Sequence, residues 1–286
     1  MFKQRLLTAL LLAPLALAAV FFLPPAGFAL FLATAFVVAA WEWAGFCGWQ
    51  SITQRSSFVI GTTAWYGLCY QLLPASLHWP VQTNTAAETV IWTGIGWWLL
   101  AVLLVLSFGR SQKLWSEVRL LKVLMGWLTL VPSFAALLLL RNVNYSASEY
   151  TGAWLICALL GLVWAADIGG YVVGKPFGKH KLLPQVSPGK TLEGLVGGLL
   201  FVLLFVTAVA AACQWPAELL LWYLAAVLLT LLSVFGDLSE SMFKRVSGLK
   251  DSGSIFPGHG GILDRIDSLT ATAPLFALFV ALFGGF

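Results

Sequence analysis

The chain has 286 residues, of which 60% are hydrophobic and 10% charged, and its mean hydropathy is +0.90. A soluble domain is about 45–50% apolar and about 25% charged, so a soluble globular protein, a disordered chain and a secreted disulfide scaffold are excluded, and a polytopic helical membrane protein is left. The formal charge of +4, from 16 Lys+Arg against 12 Asp+Glu, carries its information in its distribution rather than its sum, and no nucleic-acid partner is expected.

The N-terminus imitates a signal peptide, with Lys3 and Arg5 before an apolar run. That run, Leu6 to Leu23, is longer than the usual h-region of about 7–15 residues, and further spans follow at once, so an uncleaved first helix is expected. A transmembrane helix needs about 20 mostly apolar residues. Nine stretches qualify: 6–23, 26–46, 57–74, 88–108, 121–140, 151–173, 194–213, 217–235 and 268–285. Their length and unbroken apolar character predict α-helices, not the short alternating segments of a barrel.

With the N-terminus inside and nine crossings, 15 of the 16 basic residues fall inside or at inner helix ends, and Arg141 alone falls outside. This positive-inside asymmetry predicts a cytoplasmic N-terminus and a periplasmic C-terminus. Three acids, Glu88, Glu149 and Glu218, sit at outer ends, and the rest lie at or near the inner face. Short loops predict one packed bundle. Residues 1–150 supply about five spans, and 151–286 supply about four with a cytosolic loop at 236–267. Trp79, Trp115 and Trp215 near predicted ends read as interfacial anchors. Cys47, Cys69, Cys157 and Cys213 form no CxxC pair and lie in or beside apolar runs, so they read as buried free thiols rather than zinc ligands.

Four polar places stand out, because an ionised side chain at the bilayer centre costs at least about 2.5–3.5 kcal/mol. Glu42, between two tryptophans late in the second span, needs a partner the sequence does not name. Asp167 lies late in the sixth span, and Gly169, Gly170, Gly174 and Gly178 after it permit close helix packing and a turn. It reads either as a helix-end carboxylate paired with a loop lysine or as a ligand.

Next comes Ser187 to Gly194, SPGKTLEG, where Gly-Lys-Thr mimics the end of a P-loop. A P-loop also needs an earlier glycine and a preceding strand. Pro184 takes the glycine's place and no strand is expected, so the P-loop is rejected. What remains is a helix N-terminus beside Lys190, a natural phosphate site, or a simple cap by Ser187 or Thr191 with Glu193 in the first turn.

The last place is Gly236 to Ser268. Asp237, Ser241 and Lys244 are spaced i, i+4, i+7 and share a face if the eighth span continues inward; Asp264 and Asp267 share a face at i, i+3. A Gly-rich stretch around His259 turns the chain between them. Carboxylates from two helix ends can thus converge beside basic side chains. That combination suits a hard cation such as Mg²⁺, which keeps substrate phosphates in its shell, with lysine and arginine on the phosphate oxygens. A solvated loop with boundary ion pairs is the plainer alternative. His259 reads as a phosphate contact or loop-shaping residue rather than a base.

The run SxxKRxxxxKDxGxxxPGHGGxLDRxD, Ser241 to Asp267, resembles the signature of the phosphatidate cytidylyltransferase (CDP-diacylglycerol synthase) family. Two further blocks agree: Asp167-x-Gly-Gly-Tyr-x-x-Gly-Lys175-x-Phe-Gly178 and Ser187-Pro-Gly-Lys190-Thr191-x-Glu-Gly194. These motifs lie in the C-terminal half; the N-terminal helices share hydropathy and the Glu42-Trp43 pair. Gly189 departs from the pattern, since many members carry a basic residue there.

The resemblance implies that CTP and phosphatidic acid give CDP-diacylglycerol and pyrophosphate at the cytosolic face of a bacterial inner membrane. It implies Mg²⁺, with K⁺ as a second cation, and a homodimer. Carried onto this chain, Asp237, Asp264 and Asp267 would be metal carboxylates. Ser241, Lys244, Lys250 and Arg265 would contact phosphates, and Asp251 and His259 would belong to the site. Asp167, Lys175, Ser187, Lys190 and Thr191 are expected on the substrate. A CTP-dependent lipid kinase is the alternative, and a transporter, which would show midplane polar residues and repeats, fits less well.

Overall fold

A computed structural model describes residues 2–73, 84–213, 219–255 and 260–283, leaving aside the side chains of residues 2–10 and of Cys213. The described chain is almost entirely helical: α1 (Phe2–Phe22), α2 (Pro25–Phe46), α3 (Ile52–Leu72), α4 (Thr85–Leu106), α5 (Phe108–Trp115), α6 (Arg119–Arg141), α7 (Thr151–Phe177), α8 (Leu192–Cys213), α9 (Leu219–Ser247) and α10 (Leu263–Phe283). Among the described residues the one sheet is a two-stranded antiparallel hairpin, β1 (Lys181–Leu183) and β2 (Ser187–Thr191).

Helices stand where all nine apolar stretches were expected. Seven of them, α2, α4, α6, α7, α8, α9 and α10, are long and apolar enough to cross a membrane, among the described residues. Helices α1 and α3 occupy the other two stretches without meeting that measure. The chain is thus an all-helical, multi-pass membrane protein. The outer loop expected around Trp79, and Trp215, lie outside the described residues.

One expectation is corrected. No strand was expected before α8, yet Ser187–Thr191 is one. It pairs with β1 because the tight Pro184–Val186 connection turns the chain back, with Val186 N–H donating to Leu183 O at 3.1 Å. Helix α9 runs past the eighth apolar stretch to Ser247, the continuation on which the shared face of Asp237, Ser241 and Lys244 depended. It ends in a Schellman turn: Leu249 N–H reaches Lys244 O at 2.9 Å, Gly248 N–H reaches Arg245 O at 3.3 Å, and Gly248 has φ +67°.

Helix α6 is buried along most of its length and forms the axis against which α2, α3, α4, α7 and α10 pack. Lipid offers no hydrogen bonds, so every broken helical bond must be repaired inside the bundle. Pro274 in α10 has no N–H for the carbonyl four residues back, and that carbonyl, on Thr270, accepts instead from Ser133 Oγ of α6 at 2.5 Å. Gly94 of α4 faces both prolines at this crossing; a Cβ there would lie 2.7 Å from Pro132 and 3.1 Å from Pro274.

The closest pair is α7 with α8. Gly169, Gly170 and Gly174 face Gly194 and Gly197, so the two backbones meet directly, as small-residue interfaces in membranes do. At the C-terminal end of α2, Cys47 is fully buried, and burial pushes its thiol up to about 12 despite the nearby Lys122.

Gly197→Ala should lose about 1–3 kcal/mol, because its Cβ would meet Gly169 O at 2.6 Å. Gly96→Ala, with open space around it, should leave thermal unfolding in detergent unchanged or raised. Maleimide at neutral pH should modify Cys47 only after denaturation, read by mass spectrometry.

Candidate active site

Helices α7, α8, α9 and α10 and the hairpin build the site. On α9 the i, i+4, i+7 reading holds: Ser241 Oγ donates to Asp237 Oδ1 at 3.3 Å, on the face that also carries Lys244. The β hairpin delivers Lys190 to that face, its Nζ lying 2.8 Å from Asp237 Oδ2 and 3.2 Å from Val234 O. Arg245 Nε, donating to Val186 O at 3.2 Å, ties the hairpin to α9 from the other side. Thr191 is the cap of α8, its Oγ1 accepting from Gly194 N–H at 3.1 Å. Glu193 turns back to the hairpin and accepts the N–H groups of Lys179 and His180 at 3.1 and 3.2 Å, with the His180 ring at 2.6 Å.

A cavity of about 470 Å³ opens between α7, α8, α9 and the hairpin, with Asp167, Lys175, Lys190, Thr191 and Asp237 in its wall. Small-molecule sites run to about 300–1,000 Å³. Asp167 lines the pocket within electrostatic reach of Lys190, Asp237 and Arg265, while Lys190 itself is ion-paired with Asp237. Lys175 lies over the Tyr171 ring and donates to its hydroxyl at 2.7 Å. A separate, smaller apolar pocket lies between α7, α8, α9 and α10, lined by Ala158 and Leu162, Phe205 and Val206, Trp222 and Ala226, and Phe276.

Beside the cavity, α10 comes up against α9 at Gly236, where a Cβ would sit 2.8 Å from Asp267 O. This close approach sets Asp267 against Asp237 and Glu240. Lys244 Nζ lies 2.7 Å from Asp264 Oδ1 and 3.5 Å from Glu240 Oε2. Asp264 Oδ2 accepts Ser252 N–H at 3.0 Å, Ser252 Oγ at 2.9 Å and Gly261 N–H at 2.8 Å. Arg265 is exposed one residue along.

Glu42 finds its partners here. It is 2% exposed, and it accepts Ile262 N–H on Oε1 at 3.1 Å, and Leu263 N–H and Ser252 Oγ on Oε2 at 2.8 and 3.1 Å. A carboxylate from α2 therefore caps the start of α10. Gly253 and Gly261 leave the space for it; a Cβ on Gly253 would come 3.0 Å from Glu42 Cγ.

The structure thus gathers Asp167, Lys190, Thr191, Asp237, Ser241, Lys244, Asp264, Arg265 and Asp267 around one region. Lys175 stands at its rim, Ser187 opens β2, and Lys250 and Asp251 are exposed in the α9–α10 connection. His259 lies outside the described residues. The sequence reading missed Glu240 and Ser252. Glu240, at i+3 from Asp237 and i−4 from Lys244, carried a usable spacing signal; Ser252, inside a loop, carried none.

The expected cation can be tested against these residues. Among the described residues no three His, Cys, Asp or Glu side chains stand close enough to hold an ion as they are, and both oxygens of Asp264 are taken by Lys244, Ser252 and Gly261. Glu240, however, is 4% exposed, has Lys244 Nζ 3.5 Å from its Oε2, and faces Asp267 closely enough for the two carboxyl groups to interact. Two buried carboxylates facing each other are a charge arrangement that a cation resolves. Mg²⁺ usually needs only one or two protein carboxylates beside substrate phosphates, so the donor set fits.

The pattern is that of a membrane enzyme handling phosphorylated substrates, and comparison with known proteins agrees. The chain belongs to the cytidylyltransferase family, which it matches over residues 3–283. It is 44% identical over 278 residues to the phosphatidate cytidylyltransferase of Pseudomonas aeruginosa, covering 97% of this chain and 96% of that one. The protein of the same name in Haemophilus influenzae is 39% identical over 285 residues, covering 98% of each. That of Bacillus subtilis is 35% identical over 188 residues, covering 65% of this chain and 67% of the relative.

Gly253→Ala should displace Glu42 from the start of α10 and lose about 1–3 kcal/mol, the cost of leaving a buried donor unpaired; thermal unfolding in detergent measures it.

Proposed function

We propose that the chain is a phosphatidate cytidylyltransferase. It joins CTP to phosphatidic acid at the cytosolic face of a bacterial inner membrane and releases pyrophosphate. The observation that carries this reading is the pocket walled by Lys190 and Asp237, next to the Lys244–Asp264 pair. A headgroup phosphate would sit among these charges. The family match and the named relatives support it.

In the reaction an oxygen of the lipid phosphate forms a bond to the α-phosphorus of CTP, and the bond from that phosphorus to the pyrophosphate oxygen breaks. A phosphate monoester has a second pKa of about 6 and is already an anion at neutral pH, so no general base is needed. Attacker and target are both anions. Lys190, Lys244 and Arg265 offset that repulsion and hold the two reactants in line, with Ser241 as a neutral donor; Lys175, Lys250, Ser187 and Thr191 complete the phosphate surroundings. Such transfers depend chiefly on positioning and electrostatics.

Mg²⁺ would be held by Asp237 and Asp267, with Asp264 and Glu240 adding negative charge nearby, and it would supply charge neutralisation at the triphosphate. K⁺ is the proposed second cation. Asp251 and His259 are proposed to belong to the site. Residues 151–286 carry the reacting groups, while 1–150 support them. The full arrangement is nine crossings with both cytosolic and periplasmic ends as the basic residues dictate, assembled as a homodimer.

Purified protein given phosphatidic acid, Mg²⁺ and CTP labelled at the α-phosphate should put label into the lipid and release pyrophosphate; label reaching the lipid only from the γ-phosphate would mean a kinase instead. A chelator should stop turnover. Asp237→Asn and Asp264→Asn should each lower kcat by at least about 100-fold while the protein still inserts and folds. Full turnover in the chelator would remove the metal from the mechanism.

A further inference from the structure

Glu42 and Ser252 lie outside the signature run's fixed positions, on α2 and in the connection that precedes α10, yet they form one continuous hydrogen-bonded unit with Asp264. Glu42 holds the first amides of α10, on Ile262 and Leu263, and receives Ser252 Oγ. Ser252 Oγ also lies 2.9 Å from Asp264 Oδ2, its N–H donates to the same oxygen at 3.0 Å, and Asp264 N–H donates back to Oγ at 3.3 Å. With Oδ2 fixed in this way, Asp264 presents Oδ1 to the Lys244 ammonium at 2.7 Å.

We infer that Glu42 and Ser252 are positioning residues: together they fix the Asp264 carboxylate, and through it the Lys244 ammonium, at the place where the phosphates react. The inference rests on the proposed reaction. Neither residue needs to touch substrate. A serine hydroxyl carries one hydrogen, so at any moment Ser252 Oγ–H serves either Glu42 or Asp264, and its backbone N–H keeps Asp264 oriented throughout. The hydroxyl is therefore the link between the cap of α10 and the site, and it is removable without unpairing the backbone amides that Glu42 holds. Misplacing a reacting group by about 1 Å costs about 100-fold, so a loosened Lys244 should be visible in turnover.

The experiment compares wild type, Ser252→Ala, Ser252→Thr and Glu42→Gln in detergent, measuring kcat, KM for CTP and for phosphatidic acid, and Tm. Ser252→Ala should lower kcat by about 10- to 100-fold with little change in either KM and with Tm within about 2 °C of wild type. Ser252→Thr, which restores a hydroxyl, should recover most of the rate. Glu42→Gln turns an amide NH₂ toward backbone donors, so it should lower both kcat and Tm. Ser252→Ala with wild-type kcat overturns the inference, as does a rate loss that follows Tm and that threonine does not repair. A wild-type protein that makes no CDP-lipid removes the proposed reaction and this inference together, whereas an active wild type with an unaffected Ser252→Ala removes the inference alone.

Discussion

The first amides of a helix have no partner within the helix itself, and at the start of α10 one distant carboxylate takes two of them, on Ile262 and Leu263. Glu42 reaches across from α2 to do so, over a sequence separation of more than 200 residues. The charge is affordable there because it is spread over two amides and a hydroxyl. Much else follows from where α10 begins. Asp264 and Asp267 lie in its first turns, Gly236 of α9 gives way so that they can approach Asp237, and Gly253 and Gly261 are small because the Glu42 carboxylate occupies the space a side chain would fill.

The cations of the site come from different directions. Lys244 rises from α9 itself, while Lys190 is brought in by a hairpin that α9 holds through Arg245 and that α8 holds through Glu193. Each lysine is matched to one aspartate, so the two ion pairs lie side by side with a facing pair of acids, Asp267 and Glu240, between α9 and α10. An anionic substrate entering this region meets lysines that can exchange a carboxylate for a phosphate.

Much of the fold was legible in the chain, because long apolar runs have one solution in lipid. The nine helical stretches, the shared face of Asp237, Ser241 and Lys244, the Thr191 cap and the glycine contact of α7 with α8 are all local or periodic features. The hairpin was missed because Ser187–Thr191 contains proline and glycine and lacks the alternation that marks a strand. The partner of Glu42 could not be read, since no local rule links a helix interior to a loop at the far end of the sequence. Glu240 was overlooked in favour of its neighbours, although its spacing from Asp237 and Lys244 places it near the same face. Ser252 is defined wholly by the tertiary contact.

Helix α9 works as a ruler. Its 29 residues extend about 43 Å at about 1.5 Å each, against a hydrocarbon thickness of about 30 Å. The surplus, about 13 Å, amounts to some nine residues at the polar end, the turns from Ser239 onward. On the proposed reading, Asp237 would stand near the edge of the oily layer, with Ser241 and Lys244 at the level of the headgroups. A lipid substrate at that depth would keep its tails in the bilayer while its phosphate stayed level with those groups.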